Sequence, residues 1–177
     1  MTTQQPLQEG YHKTEDGKWE IIANHELPGV TPEMIDWWWD HIDTTERYKL
    51  WHPTDHVSFE WVVSPATNGH VGAVQRIEEF LNGIPATPLP LEIRWEDANE
   101  AKAEYDHVLL ATVVGEPRGD LMHEYQATPF GARMRSHFHL AAEAPEEIVN
   151  ALYEHNKQEM HNFTTFLPDL YRSQVRG

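Results

Sequence analysis

The chain has 177 residues, 40% hydrophobic and 24% charged, the length and make-up of a single soluble globular domain. Its 13 basic against 29 acidic side chains give a net charge of −16, which repels a phosphate backbone and argues against nucleic acid as a partner. No apolar run approaches the ~20 residues of a membrane helix, and the absence of cysteine removes thiolate catalysis, cysteine-based zinc sites and disulfides.

The amino terminus MTTQQPLQEG has neither the basic nor the apolar region of a secretory signal, so a cytoplasmic location is expected. Residues 1–20 are polar and offer too little apolar surface to offset the entropy of ordering them. They are expected to form a tail or an edge element, with one domain over 21–177. A helix start follows, with Thr31 as N-cap, Pro32 at the first helical position and Glu33 in the first turn, which predicts a helix from Pro32 to His41. Thr44 or Thr45 caps a second short helix that Pro53 ends, because the residue before proline is pushed out of the helical region. From 57 to 140 the apolar period changes from near 3.6 to 2: Val57, Phe59, Trp61 and Val63 alternate with polar residues, as do Leu91, Ile93 and Trp95. With 73–81, 107–114, 121–128 and the segment ARMRSHFHLA, about six antiparallel strands are expected. Turns fall at Asn68-Gly69, Asn82-Gly83, Pro117 with Gly119, and 129–131. After Pro145 the longest helical pattern runs to about Tyr171, with the seam Ile148, Leu152, His155, Glu159, Phe163, Phe166 and Leu170. This order predicts an α+β helix-grip domain of the START-like kind, a curved antiparallel sheet around a long C-terminal helix, enclosing a cavity.

His155 and Glu159 lie four apart on that helix, so their Cβ atoms are about 5–6 Å apart on one face and both side chains can converge on one ion. The seam faces the sheet, where an unpaired carboxylate is costly and needs a partner. A tetrahedral metal site requires further ligands. LWHPTDH offers His52 or His56, with Asp55 or the neighbouring backbone to orient one of them. AVQRIEEFLNG offers Glu79, whose strand phase carries a single charge, while Glu78 pairs outwards with Arg76 unless a bulge swaps the two. His137 and His139 share a strand face with Arg133 and Arg135, whose charges disfavour a cation, and are expected to be surface histidines.

WWWDH, then YKLWHPTDH, a strand glutamate and a late HxxxE together resemble the zinc-dependent 2,4-diacetylphloroglucinol hydrolase and phloretin hydrolase family over roughly residues 28–168. The resemblance implies a helix-grip fold, one Zn2+ held by His56, Glu79, His155 and Glu159, and hydrolysis of the carbon–carbon bond joining an acyl group to a polyhydroxylated aromatic ring. A family tyrosine eight residues before the first ligand falls on Tyr48, which favours His56 over His52. Such a reaction needs a proton for the ring carbon, a water for the acyl carbonyl and stabilisation of the departing phenolate; zinc suits the last two. Tyr48 or His52 is the expected proton donor. The tryptophans at 37–39, 51, 61 and 95 are candidates for the wall of an aromatic pocket. The expected partner is a small acyl-phenol, with neither nucleic acid nor membrane, and a homodimer remains open. Two rival readings are a helix-grip binding protein without catalysis and a zinc-dependent polyketide cyclase or retro-aldol enzyme.

Overall fold

A computed structural model describes residues 8–115 and 119–176. Its strands are β1 (Gly10–Lys13), β2 (Trp19–Pro28), β3 (His56–Val63), β4 (Val74–Leu81), β5 (Ile84–Glu96), β6 (His107–Val113), β7 (Asp120–Thr128) and β8 (Gly131–Leu140). The α-helices are α1 (Pro32–His41), α2 (Thr45–Trp51), α3 (Pro65–Asn68) and α4 (Glu146–Val175). All eight strands form one antiparallel sheet in the order β1, β2, β8, β7, β6, β5, β4, β3, and α4 packs against it together with α1 and α2. This is the helix-grip α+β architecture that the element order predicts. The helix starts are formed as expected, since the Thr31 hydroxyl accepts from the Met34 N–H and that of Thr44 from the Arg47 N–H. No helix among the described residues is long and apolar enough to cross a membrane.

The amino-terminal segment departs from a tail. Residues 10–13 form the edge strand β1, the edge element rather than the tail of the two alternatives, and β2 begins at Trp19, ahead of the expected domain start. Between β1 and β8, Ile21, Ile22 and Ala23 are all fully buried, so Ile22 interrupts an alternation of buried and exposed residues that runs on from Ala23 to Pro28. The Asn82-Gly83 turn is a two-residue hairpin joining the paired Leu81 and Ile84, with positive φ at both residues (50° and 78°). The Gly119 turn precedes β7, while Pro117 lies outside the described residues.

The buried face of α4 comprises Val149, Ala151, His155, Asn156, Glu159, Met160, Phe163 and Leu167, so Ile148, Phe166 and Leu170 flank it rather than centre it. His155, Glu159 and Phe163 of the expected seam are buried, while Val149 and Leu167 take the buried places expected of Ile148 and Phe166. Phe163 is fully buried, with ring centroids 5.4–6.0 Å from those of Trp51, Trp38 and Trp39. Phe163→Ala should therefore cost about 3–5 kcal/mol, read as a lower denaturant midpoint at an unchanged m-value.

Candidate metal centre

Four side chains converge beneath α4. His56 opens β3 directly opposite Glu79 of β4, and His155 and Glu159 lie one turn apart on α4. His56 Nε2 stands 3.4 Å from Glu159 Oε2 and 3.6 Å from Glu79 Oε2; His155 Nε2 stands 3.6 Å and 4.0 Å from the same two atoms. Ligand atoms around a tetrahedral ion with 2.0–2.1 Å bonds are about 3.3 Å apart, so these spacings fit a slightly expanded site. The other imidazole nitrogens are committed: Nδ1–H of His56 donates to the Tyr48 carbonyl (2.8 Å) and Nδ1–H of His155 to Asp55 Oδ2 (2.8 Å). Both Nε2 atoms are buried without a hydrogen-bond partner. Two oriented imidazoles with unused inner nitrogens, facing two carboxylates, can hold a metal ion.

The supports come from three elements. Asp55 accepts from the backbone N–H groups of Asn82 (2.7 Å) and Gly83 (3.1 Å), so the hairpin turn fixes the carboxylate that fixes His155. The Tyr48 hydroxyl donates to Glu79 Oε2, and its ring stacks on His56 at 3.7 Å between centroids. Asn156 Nδ2 donates to Glu159 Oε1 at 3.0 Å. Burial, followed by the charge of Glu79, pushes the Tyr48 phenol well above its usual range, so it stays protonated. Burial alone would depress His155, but Glu159, Asp55 and Glu79 outweigh it and push the imidazole up to about 10. Burial would raise Glu159, yet His155 and His56 hold its carboxyl well below the usual carboxylate range. The centre is therefore short of positive charge and accepts either a proton on His155 or a cation.

Tyr48, Glu79, His155 and Glu159 line the floor of a cavity, which His56 itself does not line. Its walls are mainly apolar and include Trp39, Trp51 and Trp95, with Gln75 and His123 as polar groups away from the floor. Trp38 belongs to the closed core, and Trp37 and Trp61 pack half-buried against it. Of the aromatic candidates, only part therefore walls the pocket.

The structure brings Tyr48, His56, Glu79, His155 and Glu159 together and resolves the strand phase, because Glu78 accepts from Ser58 on the exposed side. His52 stacks on His155 (4.6 Å) but does not line the cavity: its Nε2–H donates to Gln158 Oε1 (2.8 Å) and its Nδ1 accepts from the Asp55 N–H (3.1 Å). The Asp55 carboxylate orients His155, whereas backbone groups orient the other two, the Asp55 N–H at His52 and the Tyr48 carbonyl at His56. His137 is not a surface histidine. It lies on the outward face as expected, yet it is buried against Glu124 Oε1 at 3.2 Å, while His139 pairs half-exposed with Asp120. His123, Ser136, His25 and Asn156 were not anticipated. The signal available for His123 was the alternation Leu121, His123, Tyr125, which puts the histidine in phase with apolar wall residues.

A family model described as the DAPG hydrolase PhiG domain matches residues 1–147, which contain Tyr48, His56 and Glu79 but stop before the HxxxE helix pair. Phloretin hydrolase of Eubacterium ramulus is 25% identical over 198 residues, covering 93% of this chain and 72% of that protein. Among solved structures, Ara h 8.0201 is similar with a TM-score of 0.58 at 14% identity, over 90% of this chain and 99% of that one. A START superfamily protein from Mycobacterium smegmatis is similar with a TM-score of 0.59 at 10% identity, over 85% and 98%. At such identities these two likenesses show the fold alone, a START-like one. With 147 of its 177 residues matched, the chain belongs to the DAPG hydrolase PhiG domain family.

Proposed function

We propose that the chain is a zinc-dependent hydrolase that cleaves the carbon–carbon bond between an acyl group and a polyhydroxylated aromatic ring. The observation that carries this reading is the pair of buried, unpartnered imidazole Nε2 atoms, facing two carboxylates at the floor of a tryptophan-walled cavity. Membership of the DAPG hydrolase family and the likeness to a phloretin hydrolase support the substrate class. His56, Glu79, His155 and Glu159 would hold the ion. When bound, zinc supplies Lewis acidity towards a carbonyl and acidifies coordinated water.

The protein's own part is to bind, orient and protonate. The overall change adds the oxygen of water to the acyl carbon and a proton to the ring carbon, and the aryl–acyl bond breaks to leave a carboxylic acid and a phenol. Flat indole faces at Trp39, Trp51 and Trp95 suit an aromatic ring and exclude bulk water from it. Tyr48 holds its proton in a cavity-lining position, bonded to Glu79, and a substrate entering beside it competes for that hydrogen. His52, with both ring nitrogens engaged behind His155, becomes a supporting residue rather than a proton donor.

Elemental analysis of purified protein should find about one zinc per chain. His155→Ala should abolish metal uptake, while His137→Ala and His139→Ala leave it intact; stoichiometric metal in the first variant would remove His155 from the ligand set, and no metal in the wild type would remove the zinc reading. Because the His155 proton must leave before the ring can ligate, and its affinity for that proton extends up to about 10, zinc affinity should rise with pH through neutrality. Titration calorimetry in buffers of different ionisation enthalpy should show proton release on binding at pH 7.

Tyr48→Phe tests the chemistry separately from the metal. It removes one hydroxyl and preserves the ring that stacks on His56, so the fold and zinc stoichiometry should hold, with the melting temperature lowered modestly by the loss of the bond to Glu79. Turnover of an acylated phloroglucinol should fall by ~10²–10⁴, the usual worth of a general acid. Activity within a few-fold of wild type would make Tyr48 wall rather than donor.

A further inference from the structure

A buried hydrogen-bond chain runs from Glu159 to the far wall of the cavity. Asn156 Nδ2 lies 3.0 Å from Glu159 Oε1, and Asn156 Oδ1 lies 3.0 Å from His25 Nε2. Ser136 Oγ stands 3.2 Å from that same His25 nitrogen and 2.9 Å from His123 Nδ1. Asn156, His25, Ser136 and His123 are all buried, so a donor left without an acceptor is costly at every link.

The donors can be assigned in order from the carboxylate. An ionised carboxylate only accepts, so Asn156 gives it an amide N–H and turns its carbonyl to His25, which must carry a hydrogen on Nε2. Desolvation lowers His25 to about 4 and His123 likewise to about 4, so each ring is neutral and carries a single N–H. The hydrogen on His25 Nε2 bars the Ser136 hydroxyl from donating there. Among the described residues, the acceptor left to that hydroxyl is His123 Nδ1. His123 then bears its hydrogen on Nε2, since its hydrogen bond to Ser136 is made through Nδ1, on a ring that lines the cavity. Trp39 holds the plane of that ring by stacking on it, at 5.7 Å between centroids and 9° between planes.

We propose that Ser136, itself set by His25 and Asn156, is a positioning residue that locks His123 as the Nε2–H tautomer, so that the cavity presents a fixed neutral donor to a phenolic or carbonyl oxygen of the bound molecule. The identity of that oxygen rests on the function proposed above; the tautomer does not. A neutral donor suits an oxygen that gains charge as the aryl–acyl bond breaks, because it needs no counter-charge while the substrate is still neutral.

Histidine ring ¹⁵N spectra of the zinc-loaded full chain test this directly, with the His123 signals assigned by their loss in His123→Gln. In the wild type, Nδ1 of His123 should show an unprotonated shift and Nε2 a protonated one. In Ser136→Ala the two shifts should move towards each other as the tautomers exchange, with zinc content unchanged and kcat/KM for an acyl-phenol lowered about 10-fold or more. An Nδ1–H tautomer in the wild type, or shifts unmoved in a folded Ser136→Ala, overturns the proposal. The wild-type spectrum decides the tautomer even should the variant fail to fold. An Nε2–H tautomer in a protein that turns over no acyl-phenol upholds this proposal and overturns the function reading instead.

Discussion

Asp55, Glu79 and Glu159 are buried together against two imidazoles, and much of the fold answers the cost of desolvating three carboxylates in one place. Each is held by a different part of the chain: Asp55 by the N–H groups of the β4–β5 turn, Glu79 by the Tyr48 hydroxyl of α2, and Glu159 by the neighbouring Asn156 on α4. The turn can serve because Asn82 and Gly83 both adopt positive φ, which aims two successive N–H groups at one carboxylate. Charge balance at the centre thus depends on tertiary contacts rather than on any one segment. Asn156 leaves Glu159 Oε2 directed at the inner nitrogens of His56 and His155, whereas the Glu79 oxygen that faces them, Oε2, is also the one that accepts from Tyr48.

The parts of this arrangement that announce themselves in the sequence are those where a local pattern is broken. His155 and Glu159 stand out because two polar residues fall in the buried face of an otherwise apolar seam, and Glu79 because its strand phase carries one charge. Tyr48 and His56 required the family resemblance, since spacing alone does not separate His56 from His52. What stayed hidden depends on long-range pairing. Asp55 and His155 are 100 residues apart, and His25 meets Asn156 across 131. β2 carries an alternation of Trp19, Ile21, Ala23, His25 and Leu27 against Glu20, Asn24 and Glu26, but an apolar Ile22 in the polar phase and a histidine in the apolar one blur it.

Burial of polar residues alone does not mark the site, as β7 and β8 demonstrate on their two faces. Their cross-strand pairs alternate: His123 faces Ser136 on the inner side, and Glu124 faces Arg135 on the outer side. The outer cluster is as deeply buried, with Glu124 1% exposed, but it is closed. Glu124 accepts from the N–H groups of Glu104 and Tyr105, from Arg135 and from His137, so every partner is a protein group and the cluster pins the 101–106 segment to the sheet. The inner side ends differently, with His123 on the cavity wall and the Nε2 atoms of His56 and His155 without hydrogen-bond partners beneath α4. Buried polar groups are normally satisfied, so a network that stops at unmatched atoms on a cavity is arranged for something the chain itself does not contain. That contrast separates the HxH pair on β8, closed by protein partners, from the HxxxE pair on α4, which on the function proposed above is arranged for chemistry with a strand histidine and a strand glutamate.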